Sequence, residues 1–178
     1  MLATIVRGLR QLEVRVALAT GSADPRRLGP RPTEWLVGPY LPQVSILEQA
    51  RVLVTHAGNN SVTEAAAHGV PMLMLPFSTD QFDGAAAIEA AGFGVAADPN
   101  RATPIELADA VRCLVSTTHP ALDCVAGEIA LHPGAAIARA AVARWLGRAP
   151  TATTHRGAAE SGSKPAGPTP ATGRSPIA

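Results

Sequence analysis

Lysine is almost absent from this chain of 178 residues: Lys164 is the only one, and it lies near the C-terminus. Aromatic side chains are scarce as well, at 3%, and the formal net charge is +1. So few ammonium groups and rings cannot build a groove that tracks a phosphate backbone or a platform that stacks bases. A charge this small draws the chain neither to DNA nor to an anionic membrane. No apolar run approaches the roughly 20 residues of a membrane span. Residues 1–7 are too short, and lack the flanks, for a signal peptide. Only two cysteines occur, Cys113 and Cys124, both inside helical patterns. They read as small buried hydrophobes in a reducing compartment rather than as a disulfide. His119, His132 and His155 show no ligand spacing, so no metal site is expected. What these absences leave is a soluble, cytoplasmic domain with no nucleic-acid partner and no membrane span.

What is present points to an α/β fold. Hydrophobic residues make up 47% of the chain, enough for a core. From Arg148 onward the sequence RAPTATTHRGAAESGSKPAGPTPATGRSPIA has almost no large apolar side chains, so residues 148–178 are expected to be a disordered tail and 1–147 the domain. Within the domain, Leu2, Ile5, Leu9 and Leu12 recur at helical spacing. EVRVALAT (13–20), EWLVG (34–38), RVLVT (51–55), PMLMLP (71–76) and GVAAD (94–98) read as strands. Helices are expected after Pro42, from about Asn60 to His68 with Gly69 as the stop, and from about Asp80 to Gly92. Thr103-Pro104-Ile105-Glu106 is a capping box with proline at the first helical position. Two alanine-rich helices fill 120–146, and Trp145 is expected to pack the last of them against the sheet or against the absent domain. Strands alternating with helices imply a Rossmann-like, doubly wound parallel sheet. Such a unit ordinarily opens with a strand, whereas this pattern opens with a helix, so the first strand and its phosphate-facing loop are expected to be missing.

The stretch THAGNNSVTEAAAHGVP (55–71) carries the chemistry. In open parallel sheets, ligands bind beyond the carboxyl ends of the strands, where turns lead into helix N-termini. His56 to Ser61 lies at such an end. Gly58 lets the backbone approach a ligand closely. Asn60 and Ser61 open a helix whose free N–H groups and positive dipole end favour a phosphate, and His56 adds a donor. Glu64 stands a turn further on, where a carboxylate suits vicinal ribose hydroxyls better than a phosphate. Asp80 and Gln81, after the next strand, suit sugar hydroxyls. Tyr40 and Gln43 follow another strand end, and the Tyr40 ring can stack on a base. Blander readings stand beside these: His56 as a satisfied core histidine, Glu64 as a first-turn helix charge, Asp80 as a helix N-cap.

The block YLPQVSILEQARVLVTHAGNNSVTEAAAHGVPMLMLPFSTDQFDGAA (40–86) resembles the donor-binding signature of the nucleotide-sugar glycosyltransferases of the UDP-glucuronosyl/glucosyltransferase superfamily, and is similar to its macrolide and natural-product members. The resemblance covers residues 1 to about 146. It implies the C-terminal half of a GT-B fold, in which two Rossmann-like domains face each other across a cleft. Carried over by residue, it implies that His56 and Ser61 contact the donor diphosphate with Asn60 beside them. Glu64 would hold the ribose hydroxyls, Asp80 and Gln81 the transferred sugar, and Gln43 the nucleoside. Plant members carry tryptophan at the positions of Tyr40 and Asn59, and uracil and thymine both stay open as the base. The family's catalytic base is a histidine of the other domain, so no histidine here is assigned that role. The resemblance thus implies a hexosyltransferase fragment, inactive alone, that takes a UDP- or dTDP-sugar as substrate, needs no cofactor, and glycosylates a hydroxyl acceptor with inversion. The alternative is a non-catalytic nucleotide-sugar-binding module, or a donor subunit that works with a separate acceptor subunit.

Overall fold

Met72, Leu73 and Met74 form the most deeply buried strand, with all three side chains essentially inaccessible. A strand buried on both faces must read as an unbroken apolar run, which is why 71–76 shows no alternation. The computed structural model describes residues 1–147; the expected tail, 148–178, lies outside the described residues. In chain order the elements are α1 (Leu2–Leu9), β1 (Ala17–Ala19), a 3₁₀ turn (Pro25–Leu28), β2 (Leu36–Gly38), α2 (Gln43–Leu47), β3 (Leu53–Thr55), α3 (Asn59–Ala67), β4 (Met72–Met74), α4 (Thr79–Ala90), β5 (Gly94–Ala96), α5 (Pro104–Ser116), α6 (Pro120–Leu131) and α7 (Gly134–Trp145).

All strand pairing is parallel, in two ladders: β1 with β2, and β3–β4–β5 with β4 central. The alternation of side chains along β4 builds the two layers around it. Leu73 and Leu75 face one core with Val6 and Leu9 of α1 and Leu107, Val111 and Leu114 of α5. Met72 and Met74 face the other, with Leu47, Ala57, Ala65, Val70 and Ala85. Helices therefore cover both faces, which is the doubly wound arrangement. Leu18, Val37 and Val54 join the first core, so both ladders belong to it.

The sequence pattern implied one sheet, and the described residues form two ladders instead.

Close backbone approach sets two glycines. A Cβ on Gly94 of β5 would lie 2.1 Å from the Met72 carbonyl oxygen, and one on Gly8 of α1 would lie 2.5 Å from that of Pro104. Helix α3 stops at Gly69, whose φ of 65° few other residues tolerate. The Val70 N–H reaches the Ala65 carbonyl and the Gly69 N–H that of Ala66, which satisfies the last turn. Helix α5 opens with the expected box: Thr103 N–H and hydroxyl donate to Glu106.

Two expectations need correction. Cys113 and Cys124 lie on helices but are exposed, because α5 turns Leu107, Val111 and Leu114 to the core and Cys113 outward. Trp145 of α7 is 85% exposed. The strand expected over 13–20 shortens to Ala17–Ala19, since Glu13, Val14 and Arg15 are exposed. Among the described residues no helix is long and apolar enough to cross a membrane.

Candidate functional site

Three turns at the carboxyl ends of β2, β3 and β4 carry every residue singled out from the sequence. The β3–α3 turn is the tightest. Ala57 is buried and has a φ of 66°, a left-handed conformation that costs an alanine about 1 kcal/mol. The Thr55 hydroxyl accepts the Ala57 N–H at 3.3 Å and braces this turn. Gly58 follows in ordinary extended geometry, so backbone freedom is not what it supplies. A Cβ there would stand 2.6 Å from Nε2 of His56. Glycine at 58 makes room for the imidazole, which lies across it, exposed to solvent.

Helix α3 starts at Asn59, one residue earlier than expected, so Asn60 and Ser61 sit in its first turn. The first intrahelical bond runs from Val62 N–H to the Gly58 carbonyl. The N–H groups of Asn59, Asn60 and Ser61 have no acceptor among the described residues, and no side chain caps the helix. No acidic residue occupies this first turn. The positive end of α3 thus stands open beside His56.

Helix α4, next to it, is treated in the opposite way. The Gln81 carboxamide oxygen accepts the N–H groups of Phe77 and Ser78, at 2.8 and 3.3 Å. The Ser78 hydroxyl donates to Asp80 at 2.7 Å. Asp80 lies inside the first turn and Ser78 is the N-cap, which corrects the reading of Asp80 as the cap itself. The hydrogen bond from Ser78 lowers the Asp80 carboxyl below its ordinary value, helped by backbone N–H groups and more weakly by the charge of His56. A Cβ on Gly84 would lie 3.8 Å from the Ala57 carbonyl oxygen, so α4 packs against the β3–α3 turn. Ser78 and its box with Gln81 were not singled out from the sequence, although Ser-x-x-Gln before a helix is a legible signal.

Gln43 opens α2 and reaches α3 from the side. Its amide nitrogen donates to the Glu64 carboxylate at 2.7 Å and to the Ser61 hydroxyl at 3.2 Å. Glu64 and Ser61 are both half-buried. Tyr40, on the turn after β2, is 84% exposed and touches none of this network by hydrogen bond. The structure therefore joins Gln43, Ser61 and Glu64 in one cluster, sets His56 across Gly58 at the mouth of α3, and ties Asp80 to Ser78 at the start of α4. Tyr40 stands apart.

The chain matches known proteins over this region. The family model described as UDP-glucoronosyl and UDP-glucosyl transferase matches residues 2–119. The UDP-glucosyltransferase YdhE of Bacillus subtilis (strain 168) is 40% identical over 68 residues, which is 38% of this chain and 17% of that protein. UDP-glucuronosyltransferase 2A3 of Cavia porcellus is 32% identical over 116 residues, 63% of this chain and 21% of that protein. The crystal structure of the calicheamicin glycosyltransferase CalG4 superposes with a TM-score of 0.74 at 28% identity, covering 82% of this chain and 38% of that one. The chain thus spans about a fifth of these curated relatives and about two fifths of that solved structure. The match by residue, from α1 through the turns to His119, identifies the chain as a member of the UDP-glucoronosyl and UDP-glucosyl transferase family.

Proposed function

We propose that this chain holds the nucleotide-sugar donor of a glycosyltransferase that moves a hexose from a UDP- or dTDP-sugar to a hydroxyl acceptor, with inversion. The observation that carries the reading is the uncapped start of α3: three free N–H groups beside His56, with no acidic side chain in the turn. That is what a diphosphate requires, since each hydrogen bond to a charged group contributes about 1.5–3 kcal/mol. Ser61 adds a hydroxyl on the same turn. Glu64, one turn further on, is the carboxylate for the ribose hydroxyls, Gln43 and Tyr40 stand on the nucleoside side, and Asp80 and Gln81 are closest to the transferred sugar.

Chemically, the acceptor oxygen attacks the anomeric carbon in line as the bond from that carbon to the phosphate oxygen breaks. Negative charge accumulates on the departing diphosphate, and the start of α3 with His56 and Ser61 receives it. The acceptor and the base that removes its proton come from outside these residues. On this reading chain 1–178 binds donor but forms no glycoside by itself. A second reading is a donor-holding module or subunit without turnover of its own.

Calorimetric titration of chain 1–178 with UDP, dTDP and uridine tests the site. His56→Ala is expected to weaken both diphosphates and leave uridine nearly unchanged. Ser61→Ala is expected to weaken the diphosphates by about 1 kcal/mol or somewhat more. Wild-type protein that binds none of the three, or variants that lose every ligand equally, would remove the assignment. Glycoside formation from UDP- or dTDP-sugar by the purified chain would overturn the division of labour.

A further inference from the structure

Gln43 carries more than a place in a nucleoside pocket. It is half-buried, and both hydrogens of its amide are committed to α3. The orientation of that amide follows from the chemistry: an ionised Glu64 carboxylate only accepts, so the atom 2.7 Å from its oxygen must be the nitrogen. The second amide hydrogen then points at Ser61 Oγ, 3.2 Å away, and the reverse contact to Gln43 Oε1 is longer at 3.5 Å. A serine hydroxyl has a single hydrogen. With its oxygen already accepting from Gln43, that hydrogen is free to point away from Gln43. A phosphate oxygen at neutral pH offers no hydrogen, so it can bind only a hydroxyl in this polarity.

We infer that Gln43 is a positioning residue that makes Ser61 a phosphate donor and holds the Glu64 carboxylate at a fixed angle, so that the ribose and phosphate portions of a nucleoside diphosphate are recognised as one unit. The inference rests on the donor-site reading above. It places the control of both contacts on α2, outside the β3–α3 turn. A ligand that lacks either the 2′-hydroxyl or the phosphates then loses more than one hydrogen bond, because the shared amide links the two contacts.

Titration of chain 1–178 and two variants with UDP, 2′-deoxy-UDP and uridine tests it. Wild-type protein is expected to prefer UDP over 2′-deoxy-UDP by about tenfold, the scale of a hydrogen bond to a carboxylate. Gln43→Leu keeps the size and removes the amide, and its preference is expected to fall to within about twofold. Gln43→Met keeps the length, adds no charge beside Glu64 or the diphosphate, and removes the donor that fixes the Ser61 hydroxyl. Its UDP-to-uridine affinity ratio is expected to fall by about threefold to tenfold. A residue that merely supports α2 would lower affinity for all three ligands in proportion and leave both ratios unchanged, and that outcome overturns the inference. Should Gln43→Leu fail to fold, the two ratios of Gln43→Met decide alone. Wild-type protein with no preference for UDP over 2′-deoxy-UDP would instead remove the ribose assignment of Glu64, and with it the reading on which this inference stands.

Discussion

Gly58→Ala separates space from backbone freedom at the centre of the site. The new Cβ would stand 2.6 Å from His56 Nε2, where ordinary contact begins near 3.4 Å. The ring must therefore retreat by about 0.8 Å. Nothing resists that movement, because His56 is exposed and the obstructing atom is the far end of its side chain. The backbone is equally permissive, with φ −66° and ψ 140° available to alanine. Lower unfolded-state entropy favours alanine by about 0.4–1 kcal/mol. The poorer helix N-cap opposes it by a similar amount, so the folded state should be nearly unaffected in stability. Binding should change far more. A hydrogen bond from the imidazole to a phosphate does not survive a displacement of this size, and its loss costs about 1.5–3 kcal/mol. UDP affinity should drop by roughly 10- to 100-fold, while uridine affinity stays close to wild type. Thermal unfolding and calorimetric titration measure the two halves. A large fall in melting temperature would show that Gly58 serves the fold of the turn. Unchanged UDP affinity with unchanged stability would show that His56 does not touch the diphosphate.

Gly94→Ala should act in the opposite sense, destabilising by about 1–3 kcal/mol without a specific binding defect, because its Cβ would meet the Met72 carbonyl inside the ladder; urea unfolding measures this. Thr103→Ala removes one half of the α5 box and should lower the melting temperature by roughly 2–4 °C, read by scanning calorimetry. Asp80 and Glu106 are both held below their ordinary carboxyl values, Asp80 chiefly by the Ser78 hydroxyl and Glu106 by the Thr103 N–H and hydroxyl. Groups depressed in the folded state stabilise above their unfolded values, near 3.8 and 4.5, and that contribution is lost as acid protonates them. Ser78→Ala should move the Asp80 titration back up towards its unfolded position, followed by the carboxyl NMR shift, and an unmoved titration would mean that Ser78 is not its main partner. Glu64→Ala should weaken UDP more than dTDP, since deoxyribose lacks the 2′-hydroxyl, and calorimetry with both ligands checks the difference.

Much of the architecture was legible along the chain, because each legible feature depends on neighbours within about four residues or on one strand's own environment. RVLVT and PMLMLP show no alternation, as parallel strands covered on both faces must not. Thr103 with Glu106 marks the start of α5, and Gly69 marks the end of α3 through a backbone angle that few other residues accept. Order along the chain also sufficed to put residues 56–64 at the carboxyl end of a strand. Tertiary structure alone decided what depends on how separate elements meet. Helical spacing placed Cys113 and Cys124 on helices, but which face meets the core is set by packing, and both cysteines are exposed. Gly58 reads in sequence as a place where the backbone can approach a ligand closely, and only the structure shows that its neighbour in space is its own His56 ring. Gln43 lies 18 residues from Ser61 and 21 from Glu64, and only the crossover that lays α2 beside α3 makes them one network. The division of the strands into two ladders belongs to this second kind as well. Hydrogen bonds between strands link residues far apart in sequence, so a pattern of apolar runs can count strands without saying which of them meet.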